Sequence, residues 1–478
     1  MKITDLTAAE RRIWRAFPRG ERVKFRDTDE RAVRAEVIQS LLLGNVSEDG
    51  KIAALRLEGA HISGRLNLAY AIIDQPISLR ACRFEYPPTF YGAQVRQLNL
   101  SRSYLPELDA PTIRVAGVLR ITGCRIPGPV KLGGAKISGA LFADRANLGD
   151  EHSSDQGQNA VLQLNHATIG DDLSAEGLVT HGQVRLVGAT ISGAVNFEKA
   201  SLSNPGHTAL KAENLTVGSN LVAKSIQVDG RVNLRGSKIP GKLDLDYARL
   251  SNPGGVAFRA SSCTVGELWL REAMPIVGEV NLRRSQFSLI SVAPEIWPDR
   301  VKLNGLSYGA IIPPLPASRR LELLEREHDY VPHAYEQLTA AYRRIGDDAA
   351  ARAVQLAKQR RHRKTLSWYA KVWGYMQDAT VGYGFRPTRA MAWLLALMLF
   401  GTVVYGFHHP SPVEPVKGPD FNSAVYTLDL LLPIIDFGQE KAFTPHGPYQ
   451  WLAYLLIAAG WILATTVVAG ITRIVSRQ

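Results

Sequence analysis

The residues best placed to do chemistry stand in one apolar stretch from Phe421 to Gly438, FNSAVYTLDLLLPIIDFG. It holds two carboxylates, Asp429 and Asp436, with Pro433 between them and Gly438 just after. If several copies met around an axis, Asp436 would supply a ring of carboxylates that favours cations. Asp429, one helical turn before Pro433, is a second candidate for that ring. Asp420 can cap a helix that Pro433 ends; about twelve residues give ~18 Å, roughly half a bilayer. The same residues also fit an amphipathic helix on an outer surface, with both acids solvated.

Other reactive types are spread more thinly. Lys358, Arg360, Arg361, Arg363 and Lys364 lie in a stretch from Arg352 to Lys371 that contains no acid. Such a run is either a solvated helix face or a contact for anionic lipid, at ~1 kcal/mol per cation near the headgroups. Trp368, Tyr369, Trp373 and Tyr375 suit the interfacial belt of a membrane. His408, His409 and His446 could titrate near neutrality or hold a metal. Cys82, Cys124 and Cys263 form no CxxC or Cys/His ligand set and suit a reducing compartment. No dinucleotide-binding glycine loop, P-loop or nucleophile elbow occurs. The residues therefore indicate no catalytic group, no cofactor and no metal centre.

The elements that must position these groups begin with two apolar runs. Ala390–Phe407 has eighteen residues without a charge and Trp451–Ile471 has twenty-one. Both reach the length that a bilayer core demands. Lys and Arg crowd before the first run and follow the second, while residues 408–450 carry two lysines against five acids. The positive-inside rule then predicts a two-span protein of the plasma membrane with both termini cytoplasmic. The net charge of +12 fits anionic lipid as partner rather than nucleic acid. A half-length helix and an apolar loop between two spans is the layout of a re-entrant loop, which is tolerated at membrane depth only where protein or water covers its backbone.

Upstream, from Leu55 to about Ala310, one pattern recurs: apolar, x, apolar, x, x, small, x, apolar. Leu55-x-Leu57-x-x-Ala60-x-Ile62 is followed by Leu66-x-Leu68-x-x-Ala71-x-Ile73 and Ile77-x-Leu79-x-x-Cys82-x-Phe84. The period predicts very short strands with corners between them, two units to a coil, and so a parallel β-helix. All three cysteines occupy the small position, which points into a narrow core. Longer steps at SNPGHTAL, SNPGGVAF and EHSSDQGQN read as insertions. The ends of such a rod need caps. The N-terminal cap is predicted as a helix over residues 30–43, with Val33, Val37, Ile38, Leu41 and Leu42 on its apolar face. After the Pro-rich IIPPLPAS, the stretches HAYEQLTAAYRRIG and DDAAARAVQLAKQRRHRK read as an antiparallel helix pair about Gly346.

These motifs resemble known families. The repeat resembles pentapeptide-repeat proteins, right-handed quadrilateral β-helices that serve as scaffolds, mimics or binding platforms. The period here alternates five and six, and the Asp/Asn-Leu motif of that family is rare. The helix pair is similar to a single tetratricopeptide-type hairpin. Residues 388–475 resemble two-transmembrane bacterial ion channels, with Leu-Pro-Ile-Ile-Asp standing where their glycine-rich filter would be, so potassium selectivity does not follow. Thr380-Val-Gly-Tyr-Gly384 spells such a filter but precedes the first span. The whole layout, from LTAAERRIWRAFPRGERV to TVVAGITRIV, looks like a family of bacterial, largely actinobacterial membrane proteins, some labelled membrane-associated oxidoreductases. No residues here match a flavin, nicotinamide or haem site.

The expectation is a mainly β protein with four parts. Residues 1–50 form an N-terminal helical cap, 51–310 a parallel β-helix, 311–385 a helical hairpin with a basic juxtamembrane segment, and 386–478 a two-transmembrane region with a re-entrant-type loop. The expected function is a homo-oligomeric cation-channel-like protein, with a tetramer as the candidate assembly, whose solenoid senses a cytoplasmic protein or ligand. The alternative is a membrane-tethered scaffold or interaction protein without a pore, and the third reading is a membrane-associated oxidoreductase, for which no cofactor motif is seen.

Overall fold

A computed structural model describes residues 5–26, 31–44, 48, 50–150, 160–382, 387–414, 419–432 and 435–475. The chain divides into two compact units, 1–346 and 347–478. The boundary falls inside the expected helix pair, so its two helices belong to different units. The insertion EHSSDQGQN lies outside the described residues.

The first unit is a parallel β-solenoid of about eleven turns. Its register shows why a coil needs two repeats. Leu55 pairs with Ile77, Ile77 with Leu98, Leu98 with Leu119 and Leu119 with Leu141, so like residues stack along the rod about 4.8 Å apart. The column continues through Leu173, Val195, Leu221, Leu243, Leu268 and Ile290 to Ile311. All but half-buried Ile311 at the end of the column are buried and fill the core.

The small position is explained by a hydrogen-bond ladder. Ser103 Oγ donates to Leu79 O (2.8 Å), Cys124 Sγ to Leu100 O (2.9 Å), Ser237 Oγ to Ala212 O (2.7 Å) and Cys263 Sγ to Leu234 O (2.8 Å). Each acceptor is in the preceding coil, so a buried hydroxyl or thiol costs little there. Burial pushes the Cys82 and Cys124 thiols up to about 12 and the Cys263 thiol up to about 11. These are packing residues with almost no thiolate at neutral pH.

Corners carry a feature the repeat did not advertise. The residue before the small position is left-handed at Tyr70, Ala81, Arg102 and Gly123 alike. Its amide bonds to the next coil, as Tyr70 N does to Tyr91 O (2.7 Å) and Arg102 N to Thr122 O (2.8 Å). Coil spacing also dictates glycine elsewhere. A Cβ on Gly170 would lie 2.1 Å from Ser138 O, and one on Gly218 only 1.7 Å from Ser192 O.

Both SNPG insertions lengthen strands instead of breaking them, giving eleven-residue strands at Ser201–Lys211 and Arg249–Arg259. Asn204 Nδ2 donates to Thr208 O (2.9 Å) and Asn252 Nδ2 to Val256 O (2.8 Å), so each asparagine closes its own bulge.

The N-terminal cap differs from the expected single helix. Helix α1 (Ala8–Ala16) precedes short strands Val23–Lys24 and Ala32–Arg34, and α2 is Ala35–Leu43. Val33 is in a strand, paired with Ile62; a β-branched residue beside an open sheet edge pairs with it rather than starting a helix. Val37, Ile38, Leu41 and Leu42 are buried in α2. Glu10, wholly buried, accepts from Thr7 N (2.9 Å), Arg34 N (3.0 Å) and Arg34 Nη2 (2.7 Å). The Arg34 hydrogen bonds outweigh burial and hold its carboxyl down at about 2.

The far end is capped by α3 (Ala317–Glu325) and α4 (Pro332–Arg344). Leu323, Leu324 and Leu338 close over Ile290, Leu303 and Ile311 around a small apolar cavity. Buried Glu327 accepts from Leu303 N, and Tyr342 Oη donates to Leu315 O (2.6 Å).

Two outcomes follow. Gly218→Ala should lower solenoid stability by about 1–3 kcal/mol in denaturant melts, whereas exposed Thr216→Ser should stay within roughly 0.5 kcal/mol. Because the folded pKa of Glu10 is depressed from 4.5 to about 2, its contribution is complete above the unfolded value and is lost as pH falls through the folded one. Acid melts should show that loss, and Glu10→Gln should remove it.

Candidate functional site

The second unit is helical: α5 (Asp348–Thr365), α6 (Trp368–Val381), α7 (Pro387–Phe407), α8 (Ser423–Leu431), α9 (Gln439–Ala442) and α10 (Pro448–Val475). Among the described residues one helix segment, Arg389–Phe407, is long and apolar enough to cross a membrane. Its large side chains point outward: Leu395, Leu399, Phe400, Val403 and Phe407 are all more than half exposed. On α10, Trp451, Tyr454, Leu455, Trp461 and Ile462 are likewise exposed.

Between these two helices lies α8. Its N-cap is Asn422, whose Oδ1 accepts from Ala424 N (3.0 Å) and Val425 N (3.2 Å), and not Asp420 as expected. With nine residues it is about 14 Å long, shorter than the twelve-residue helix read from the sequence. Asn-Ser ahead of the apolar run was the available cap signal.

Two glycines let α8 approach closely. A Cβ on Gly401 of α7 would meet Thr427 Cγ2 at 2.4 Å, and one on Gly460 of α10 would meet Leu431 O at 2.2 Å. Ser423 lies beside Gly406, and Leu430 and Leu431 belong to a buried cluster against which Leu394, Leu397 and Met398 pack. The short helix thus runs antiparallel to α7 from Gly406 past Gly401, and its last residue, Leu431, meets Gly460 near the middle of α10. Tyr405 and Tyr426 meet edge to face at 5.0 Å in the buried core between them.

Asp429 faces inward, 3% exposed. Its Oδ1 accepts from Phe437 N and its Oδ2 from Glu440 N, both at 2.8 Å. The carboxylate therefore ties the returning loop to α8. Asp436 is exposed; it accepts from Gly438 N (2.8 Å) and pairs with Lys441. Gly438 has a left-handed φ of 79° and opens α9. Pro433 lies outside the described residues. Gln439, which the sequence reading passed over, is buried and bridges the loop, donating to Asp420 O (3.0 Å) and accepting from Asn422 N (3.2 Å).

The basic cluster is partly used inside the unit. Arg360 grips Asp378 of α6 with two bonds of 2.9 Å, and Arg363 adds a third at 3.2 Å while stacking 3.9 Å from Tyr375. Burial opposes ionisation of Asp378, but the two guanidiniums prevail and hold its carboxyl below the usual range. Lys358, Arg361 and Lys364 are on the same helix, with Lys364 exposed. Trp368, Tyr369 and Tyr375 are exposed on α6. Thr380 and Val381 of the filter-like motif are helical, ending α6; Tyr383 and Gly384 lie outside the described residues. His408 stacks on Tyr449 at 4.4 Å and His409 meets Phe421 edge-on at 5.1 Å. Among the described residues no group of three or more His, Cys, Asp or Glu is placed to hold a metal ion.

No family model, curated protein or solved structure matches the chain.

Removing the Asp429 carboxylate leaves two amides without acceptors, at roughly 1–3 kcal/mol for each buried one. Asp429→Ala should therefore expose the 435–442 loop to protease while leaving the far-ultraviolet circular dichroism of the solenoid unchanged. Asp436→Ala, at an exposed pair, should change protease resistance little.

Proposed function

We propose that this chain is a subunit of a membrane-embedded, channel-like homo-oligomer, with α7 and α10 as its two spans and the solenoid as a cytoplasmic sensing module. The observation that carries the reading is α8, a half-length helix held between two long apolar helices and ending near the middle of one of them. Apolar side chains that stay exposed on α7 and α10 favour a surrounding of lipid or sister subunits over water. A half-helix that descends between two spans must have its loop backbone covered, and Asp429 supplies acceptors for two of those amides. This argues against a solvated surface helix, which would need neither the glycine approaches nor the buried carboxylate.

In this reading Asp436 faces the water-filled axis with Lys441 beside it. The pair makes charge selectivity a balance of the two groups, not a simple acidic ring. Exposed Trp368, Tyr369 and Tyr375 on α6 would sit at the cytoplasmic interface, and Lys358, Arg361 and Lys364 on α5 would approach anionic headgroups. A membrane-tethered scaffold without a pore is the second reading, favoured by the inward direction of Asp429.

Single-channel recording from reconstituted full-length protein separates them. The channel reading predicts unitary currents, cation preference lowered by Asp436→Ala and raised by Lys441→Gln. Absence of current from correctly inserted protein supports the scaffold.

A further inference from the structure

One face of the solenoid is hollowed into an open groove of about 820 Å³, within the size range of small-molecule sites. Ile72, Gln94, Arg114 and Lys136 stack along it in register, one from each successive coil. Its depth comes from side-chain size: Ala116, Gly117 and Ser138 lie beside the long side chains of Arg96 and Arg114. Three cations, Arg96, Arg114 and Lys136, line it against a single acid, Asp74. None of the three cations has a side-chain partner among the described residues. Elsewhere along the rod several basic groups beside an acid are engaged, as Lys131 is with Glu107, Lys302 with Glu279 and Arg271 with Asp246. Unpaired guanidiniums converging on a concavity are a site for an oxyanion.

Beside this groove the coil corner presents aromatic surface. Tyr70, two residues before Ile72, is 72% exposed, and Ile72 is 68% exposed. Tyr70 and Tyr91 rings meet edge to face at 5.3 Å. Tyr70 holds the left-handed φ common to these corners, 58°, and its ring buries little. Gly92 leaves room for it: a Cβ there would stand 3.0 Å from the Tyr70 ring. The exposed ring pair offers an aromatic platform beside the cationic groove.

We propose that this groove binds a phosphorylated small molecule bearing an aromatic ring, of the nucleotide class. The phosphates lie against Arg96, Arg114 and Lys136, the ring stacks on Tyr70 and Tyr91, and the Gln94 and Gln97 amides meet its polar edge. Stacking and ion pairing contribute separately, so each can be removed alone. The site is on the solenoid and its occupancy is read without any current, so its failure and that of the channel reading are distinguishable.

The test is calorimetric titration of the detergent-purified full-length chain with ATP, GTP, pyrophosphate and adenosine. At least one nucleotide saturates one site per chain, pyrophosphate binds more weakly, and adenosine gives no measurable heat. The Arg96→Ala, Arg114→Ala double variant loses about tenfold or more in nucleotide affinity, equivalent to about 1.4 kcal/mol. Tyr70→Asn, which tolerates the left-handed backbone, brings nucleotide affinity down to that of pyrophosphate. Lys238→Glu, in the same column but outside the groove, binds like wild type. Equal melting temperatures among the variants show that the solenoid is intact. The proposal is overturned if neither nucleotide saturates the wild type, if pyrophosphate binds as tightly as the nucleotides, or if Lys238→Glu weakens binding as much as the arginine pair.

Discussion

Every buried backbone amide and carbonyl in this protein has to find a partner, and both units are solutions to that one demand. In the solenoid each coil supplies the partners of the next. That fixes the spacing, and the spacing in turn decides which residues fit. Gly170 and Gly218 exist because a carbonyl of the previous coil occupies the place of a Cβ. Ser103, Cys124 and Cys263 can be buried because that same coil offers an acceptor. Where the ladder stops, carboxylates take over: Glu10 serves the amides of Thr7 and Arg34, and Glu327 that of Leu303. In the helical unit Asp429 does the same for Phe437 and Glu440.

The solenoid was readable because its period is geometric. An apolar pair, a small residue and a second apolar position recur at the distance a coil requires, and the three cysteines fall where their volume fits. The left-handed corners were not readable: Tyr70, Arg102 and Lys199 occupy them as readily as Gly123, since an inter-coil hydrogen bond rather than residue type decides the conformation. Val33 was read as helical because its spacing matches α2; the open edge at Ile62 is a tertiary fact invisible in a local pattern. At the far end α4 matches the helix expected over HAYEQLTAAYRRIG, but its capping role, and α3 itself, become recognisable only against the last coil.

At the candidate site, the existence of a short helix before a loop and the two carboxylates were legible. Their roles were not. Asp429 and Asp436 look alike in sequence, yet one is buried against two amides and the other is exposed beside Lys441. Helix α8 begins at Asn422 rather than Asp420 because Asn422 Oδ1 reaches the first free amides. Arg360 and Arg363 read as lipid contacts, but Asp378, fifteen residues beyond Arg363 in the chain, is brought to them by the turn between α5 and α6. Long-range partners of this kind separate a charge that binds from a charge that builds.

The account turns on the depth of α8. A nitroxide attached at Leu428→Cys reports it directly, since the three native cysteines are buried and escape labelling. In lipid vesicles the account predicts collision with dissolved oxygen well above collision with a water-soluble nickel chelate, giving a depth well inside the hydrocarbon. Free collision with the nickel chelate, at the rate of a site in bulk water, would contradict it.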